Sequence, residues 1–136
     1  MTTELNLDYA EARRAIDTIV AEVTRRGKAA VVAVADSRGE LIALARMDGA
    51  AYSSIAIAGN KAFTAARAGK PSFDVGAKVR HAEHGFDIAY YGDKRFCGWG
   101  GGVPVKKDGK VVGSVAVSGL PQEEDMEVVL LGIAAI

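Results

Sequence analysis

GWGGGVPVKKDGKVVGSVAVSG, Gly98 to Gly119, joins a loop rich in glycine to a hairpin. Asp108-Gly109 between two valine-rich runs is a strong hairpin signal, because the favoured two-residue turn needs positive φ at both central residues. The spacing predicts antiparallel strands over Val103–Lys107 and Lys110–Ser118. On the return strand Val111, Val115 and Val117 are expected on one side, and Val112, Ser114, Ala116 and Ser118 on the other. No charge follows Lys110, so this strand is expected to be central and covered on both faces.

Gly98, Gly100, Gly101 and Gly102, with Trp99 inserted, form a run that is costly to order, since glycine loses more backbone freedom on folding than any other residue. Two readings account for it. One is positive φ or close approach of backbone to a packed helix. The other is a nest of N–H groups facing a carboxylate or similar oxyanion, with Trp99 as a pocket wall. Without GK[ST] the loop is not a Walker-type phosphate loop, and without GxGxxG between strand and helix it is not a dinucleotide fingerprint.

Downstream of the hairpin, Pro121 opens a final helix, with Glu123, Glu124 and Asp125 at the positive end of its dipole. Met126, Val129, Leu130 and Ile133 are its expected buried stripe. Upstream, Asp8 and Glu11 resemble a capping box, with Asn6 a rival cap, before a helix carrying Ala12, Ile16, Ile19, Val20 and Val23. Strands are predicted over Ala29–Ala35 and Leu41–Met47, joined by Asp36-Ser37-Arg38-Gly39. In both, large apolar residues alternate with alanine, so one face is expected to pack at ordinary distance and the other more closely.

Arg46, ending the second strand, reads either as an ion-pairing residue or as a clamp for a ligand carboxylate. Ser53 or Ser54 is the expected cap of a helix reaching about Ala68, on which Ile55, Gly59, Ala62 and Ala66 make a smooth stripe. Gly59 weakens that helix, which suggests a contact only glycine allows. Lys61, between small residues, reads as solvated or as pointing into a pocket. A short helix follows over Ser72–Arg80. His81 and His84, spaced i,i+3, would share one side of a continuing helix, a spacing compatible with a metal or haem iron. Phe86 to Phe96 is an expected pocket rim, with a short strand over Ile88–Tyr91.

The chain of 136 residues suits one domain, 1–136, burying about two thirds of the surface its unfolded form exposes. Lys plus Arg equals Asp plus Glu at 17 each, so no overall field favours nucleic acid or an anionic membrane. The one cysteine, Cys97, excludes an internal disulfide and a thiolate-rich zinc site. The start MTTELNLDYAEA lacks the basic and apolar regions of a signal peptide, and no apolar run is long enough to span a bilayer, so a cytoplasmic protein is expected.

ARMDGA (Ala45 to Ala50), GNKAFTAA (Gly59 to Ala66), GGGVPV (Gly100 to Val105) and VVGSVAVSG (Val111 to Gly119), in this order and spacing, resemble the GlcG/HbpS family. That family includes haem-binding proteins and the C-terminal domain of PduO-type proteins, and the resemblance covers nearly the whole chain. It implies an α/β (α+β) fold: a profilin-like three-layer α/β/α sandwich with a central antiparallel sheet of about five strands. It also implies a homo-oligomer, which would give the Ala/Gly helix face a partner, and haem or another carboxylate-bearing metabolite as ligand. PduO-type haem binders would carry a histidine near the first helix; Tyr9 to Arg26 holds none. The iron ligands then available are His81, His84, Met47, Cys97 or a tyrosine.

Two function classes follow. In the first, a non-catalytic binder, Arg46, Lys61, Arg95, Trp99, Gly100, Gly101 and Gly102 hold the ligand. In the second, an isomerase, lyase or hydrolase of a small carboxylic acid, Arg46 or Arg95 holds the carboxylate. The loop amides then stabilise an enolate or oxyanion, and His84, Glu83 or Tyr90 moves the proton.

Overall fold

In the computed structural model, which describes residues 1–136, the Asp108-Gly109 turn takes φ of 52° and 77°. It joins β3 (Gly102–Lys107) to β4 (Lys110–Ser118), antiparallel from Lys107 opposite Lys110 to Gly102 opposite Ala116. β1 (Val31–Asp36) and β2 (Leu41–Arg46) form the second hairpin, and β1 pairs with β4 to give the order β2-β1-β4-β3. The sheet therefore has four strands where five are expected. Ile88–Tyr91, the expected short strand, is a turn of 3-10 helix instead. The Asp87 side chain accepts from the Ala89 amide at 2.9 Å, and Gly92 ends the turn with φ of 80°. A local side-chain cap has outcompeted the strand ladder.

The two faces of the sheet differ as the large/small alternation predicts. Val32, Val34, Val115 and Val117 pack with α1 (Tyr9–Arg25) and α4 (Gln122–Ala134), whose buried residues include Ile16, Ile19, Val128 and Val129. On the opposite face Ala33, Ala35 and Ala116 meet Ala58 and Ala62 of α2 (Ser53–Ala68). The alanines let α2 lie close, near enough for Ser114 Oγ on β4 to donate to the Ala62 carbonyl at 2.6 Å. The smooth side of α2 thus has the chain's own sheet as its partner. α3 (Ser72–Val79) follows α2 after Gly69, which takes φ of 68°. No helix is long and apolar enough to cross a membrane.

Several local expectations shift. Val112 joins Val115 and Val117 in the larger core cluster, because the β3–β4 register slips between Val105 and Lys106. A bulge of this kind re-aims the side chains beyond it. The buried stripe of α4 is Asp125, Val128, Val129 and Gly132, and Leu130 is exposed. A Cβ on Gly132 would sit 2.4 Å from Ile19 Cδ1, so glycine lets α1 approach and fixes this rotation of α4. The Asp8–Glu11 capping box forms in full, at 2.8 and 2.9 Å, whereas Asn6 accepts from the Ser37 amide. Neither Ser53 nor Ser54 caps α2, which starts after Tyr52 without a side-chain cap. Gly59 lacks the close contact expected for it: an added Cβ would meet only Leu41 Cδ1, at 4.0 Å.

A charged clamp closes the α1–α4 side. Arg26 donates to Glu22 at 2.7 Å and to Glu127 at 2.6 Å, and Lys28 donates to Glu124 at 2.6 Å. Hydrogen bonds from Arg25 and Arg26 hold the Glu22 carboxyl down at about 2.

Two outcomes follow. Gly59→Ala is expected to raise the unfolding free energy by about 0.5–1 kcal/mol, measured by urea denaturation, since the helix gains propensity without a clash. Because the Glu22 pKa is depressed in the folded state, its contribution is present above the usual 4.5 and lost as pH falls towards about 2. The Tm difference between the parent protein and Glu22→Gln is therefore expected to be largest near neutral pH and to shrink through that acid window.

Candidate functional site

α2 carries Lys61 beneath the glycine loop, on the face turned towards β4. Lys61 is 3% exposed and Asp125, on α4, is 2% exposed. Lys61 Nζ donates to Asp125 Oδ2 at 3.1 Å and to the Val117 carbonyl at 2.9 Å. Asp125 Oδ1 accepts from the Leu120 amide at 3.1 Å. One ion pair thus ties α2, β4, α4 and the β4–α4 turn together. Burial pushes the Asp125 carboxyl above the usual carboxylate range, although the Lys61 ammonium and the Leu120 amide pull it down.

The glycine loop is shaped around this pair. Gly101 has φ of 127°, and a Cβ there would lie 2.6 Å from the Val117 carbonyl, 2.9 Å from Lys61 Nζ and 3.1 Å from Asp125 Cβ. A Cβ on Gly102 would lie 2.4 Å from the Lys61 carbonyl, and one on Gly100 2.6 Å from Met126 Sδ. The loop amides are largely taken up inside the protein: Gly100 donates to Gln122 Oε1 and Gly102 to Ser72 Oγ, each at 2.9 Å. Ser72 Oγ in turn donates to the Trp99 carbonyl at 2.7 Å. Close approach, the plainer of the two readings, therefore accounts for the glycines, and the N–H groups of Gly100 and Gly102 face protein acceptors.

A cleft opens beside the loop. Its volume is about 230 Å³, and its lining includes Lys61, Asp125, Trp99, Gly100, Ile57 and Gln122. Trp99, 58% exposed, stands at the cleft as an apolar wall. Buried charge and exposed aromatic surface therefore meet in one place, the combination expected where a small molecule has an apolar body and a charged end.

Of the residues singled out in the sequence, Lys61, Trp99 and Gly100 line this cleft, and Gly101 and Gly102 back it. Arg46 lies at the same end of the sheet, since Val31 pairs with both Arg46 and Ser118, but two strands away, with its guanidinium over the Tyr52 ring at 5.7 Å. Arg95 is engaged by Glu40 and Asp93 at 2.9–3.1 Å and stacks over Phe63 at 3.9 Å. Those carboxylates hold it firmly charged and occupy its donors.

His81 and His84 lie beyond α3, exposed, with rings stacked at 5.2 Å. The helix stops at Val79, and His81 Nδ1 accepts the Glu83 and His84 amides at 3.2 and 3.1 Å. No group of three metal-ligating side chains forms. Glu83, His84 and Tyr90, which is 83% exposed, are all outside the cleft. Asp125, Gln122, Ser72 and Thr64, which pins the Cys97 amide at 2.8 Å, are supports that sequence reasoning missed. The available signal for Asp125 was its place three and four residues before Val128 and Val129, on the buried side of α4.

Four helices and an antiparallel four-stranded sheet, with a charged cleft at one end of the sheet, define a mixed α+β protein. Residues 7–134 match the family described as "Haem degrading protein HbpS-like", and the chain belongs to this HbpS-like family. GlcG of Escherichia coli K12 is 32% identical over 118 residues, covering 87% of this chain and 85% of that protein. An uncharacterised 15.0 kDa protein from the dhaT-dhaS intergenic region of Citrobacter freundii is 30% identical over 119 residues, covering 88% and 84%. Among solved structures, Klebsiella pneumoniae ORFY matches with a TM-score of 0.93 at 25% identity, covering 99% and 93%. A variant of Streptomyces reticuli HbpS matches at 0.89 and 26%, covering 100% and 90%. PduOC, solved as a haem complex, matches at 0.89 and 23% over 97% and 96%, a likeness of fold.

Removing one member of a buried pair strands the other charge. Lys61→Met is expected to cost about 3–5 kcal/mol in chemical denaturation. The double variant Lys61→Met/Asp125→Asn, which keeps an acceptor for the Leu120 amide, is expected to recover most of that loss.

Proposed function

We propose that this protein binds a small carboxylate-bearing molecule in the cleft beside Trp99, with the carboxylate at the Lys61 end and the apolar body against the indole. The observation that carries this reading is the Lys61–Asp125 pair, buried at 3.1 Å and yet part of a cleft lining. Apolar residues of similar volume would stabilise a purely structural contact as well or better. An ion pair kept where solvent can enter is better accounted for by a ligand.

Haem is the second reading, supported by the family's description and by the haem complex of PduOC. The cleft itself does not fit an iron porphyrin. Its 230 Å³ are smaller than the macrocycle, and its lining holds no His, Cys, Met or Tyr. Any haem would sit elsewhere on the surface, where His81 and His84 present imidazoles.

Trp99 is the single tryptophan, so its emission reports on the cleft alone. Titration with short monocarboxylates to on the order of 10 mM, enough to fill a site with Kd near about 1 mM, is expected to give a saturable change. Unchanged emission across acetate, propionate, butyrate and benzoate would remove the carboxylate reading. A saturable Soret shift with hemin, lost in His81→Ala/His84→Ala, would instead establish the second.

A further inference from the structure

The cleft offers an arriving anion no net positive charge. Lys61 is the one cation in its lining, and Asp125 lies against it at 3.1 Å. The other groups near Asp125 do not alter this balance. Glu124, beside it on α4, is negative and already paired with Lys28 and Arg26. The lining from Trp99–Gly100 and from Ser118–Leu120 carries no charged side chain; on β4 the Val117 carbonyl accepts from Lys61, and Ser118 adds only an uncharged hydroxyl.

A ligand carboxylate placed on Lys61 is therefore a second carboxylate beside Asp125, at low dielectric. Two carboxylates at such a distance do not both stay ionised; they share a proton. Resting on the binding reading above, we propose that the cleft takes a monoanionic carboxylate together with one proton, which resides on Asp125, and rejects dianions. The proton comes from solvent and goes to Oδ2, while Oδ1 keeps its bond from the Leu120 amide. The protonated Oδ2 then donates to the ligand carboxylate, and Lys61 Nζ turns from Asp125 to that same carboxylate. Ligand and proton enter together, so the net charge of the cleft is unchanged by binding. A second carboxylate on the ligand finds no cation, because every lining residue other than Lys61 and Asp125 is uncharged. Burial already biases Asp125 towards the protonated form.

The test follows Trp99 emission with propionate and with malonate from about pH 5 to about pH 8, together with calorimetry in two buffers of different ionisation enthalpy. Propionate affinity is expected to fall by close to tenfold per pH unit above the carboxyl's midpoint, with about one proton taken up per ligand. Asp125→Asn, checked for folding by circular dichroism, is expected to flatten that dependence to about twofold or less over the range. Above about pH 7, where malonate is a dianion, it is expected to bind at least about tenfold more weakly than propionate. Saturable propionate binding with no proton uptake, or malonate bound as tightly as propionate above about pH 7, overturns the inference and leaves the binding reading standing. No saturable response to any monocarboxylate at any pH overturns both. Proton uptake is read on the unaltered protein, so the inference stays testable even where Asp125→Asn fails to fold.

Discussion

The structure depends on one buried ammonium. Lys61 projects from α2 into the space between β4 and α4, where charge is costly to hold, and everything around it serves to hold it. Asp125 supplies the countercharge, Val117 a carbonyl, and Gly101 the room that any side chain would take away. Because the breaking of a buried pair is so much more damaging than its formation is favourable, such a contact acts as a constraint on geometry more than as a source of stability. Here it fixes where α2 crosses the sheet and how α4 is rotated. It therefore also fixes where Trp99 stands.

The unequal faces of the sheet make that reach possible. Alanines on β1, β4 and α2 bring the helix close enough for a lysine side chain to reach β4 backbone, whereas the valine side keeps α1 and α4 at ordinary distance. Close packing on one side and ordinary packing on the other leave the opening at the end of the sheet, where β4 turns into α4. Membership of the HbpS-like family places this arrangement among relatives with the same overall fold.

Much of the architecture was legible because it is written in local rules. The Asp108-Gly109 turn, the Asp8–Glu11 capping box and the large/small alternation of β1 and β4 each depend on a few neighbouring residues. What was not legible has two sources. At Ile88–Tyr91 two local signals compete, and the Asp87 cap and the Gly92 stop win over β-prone side chains. Elsewhere the outcome depends on packing partners: Val105 and Lys106 slip against β4, α4 turns on the contact between Gly132 and Ile19, and Gly59 meets nothing closer than Leu41. For the site, the sequence pointed to the glycine loop and to Lys61 but not to the partner that gives them meaning. Asp125 stands in a run of three acids at a helix start, a pattern that dipole chemistry explains without burial.

The β3–β4 turn sits at the opposite end of its hairpin from the cleft. Lys107 and Lys110 pair at the tip, and Gly102 and Ala116 pair at the base, about 20 Å along the strands. Nothing lies within 4 Å of a Cβ built on Gly109. That tip is consequently an anchoring point: a spectroscopic label, an affinity handle or new chain ends created by circular permutation can be placed there while the far end of the molecule keeps its shape.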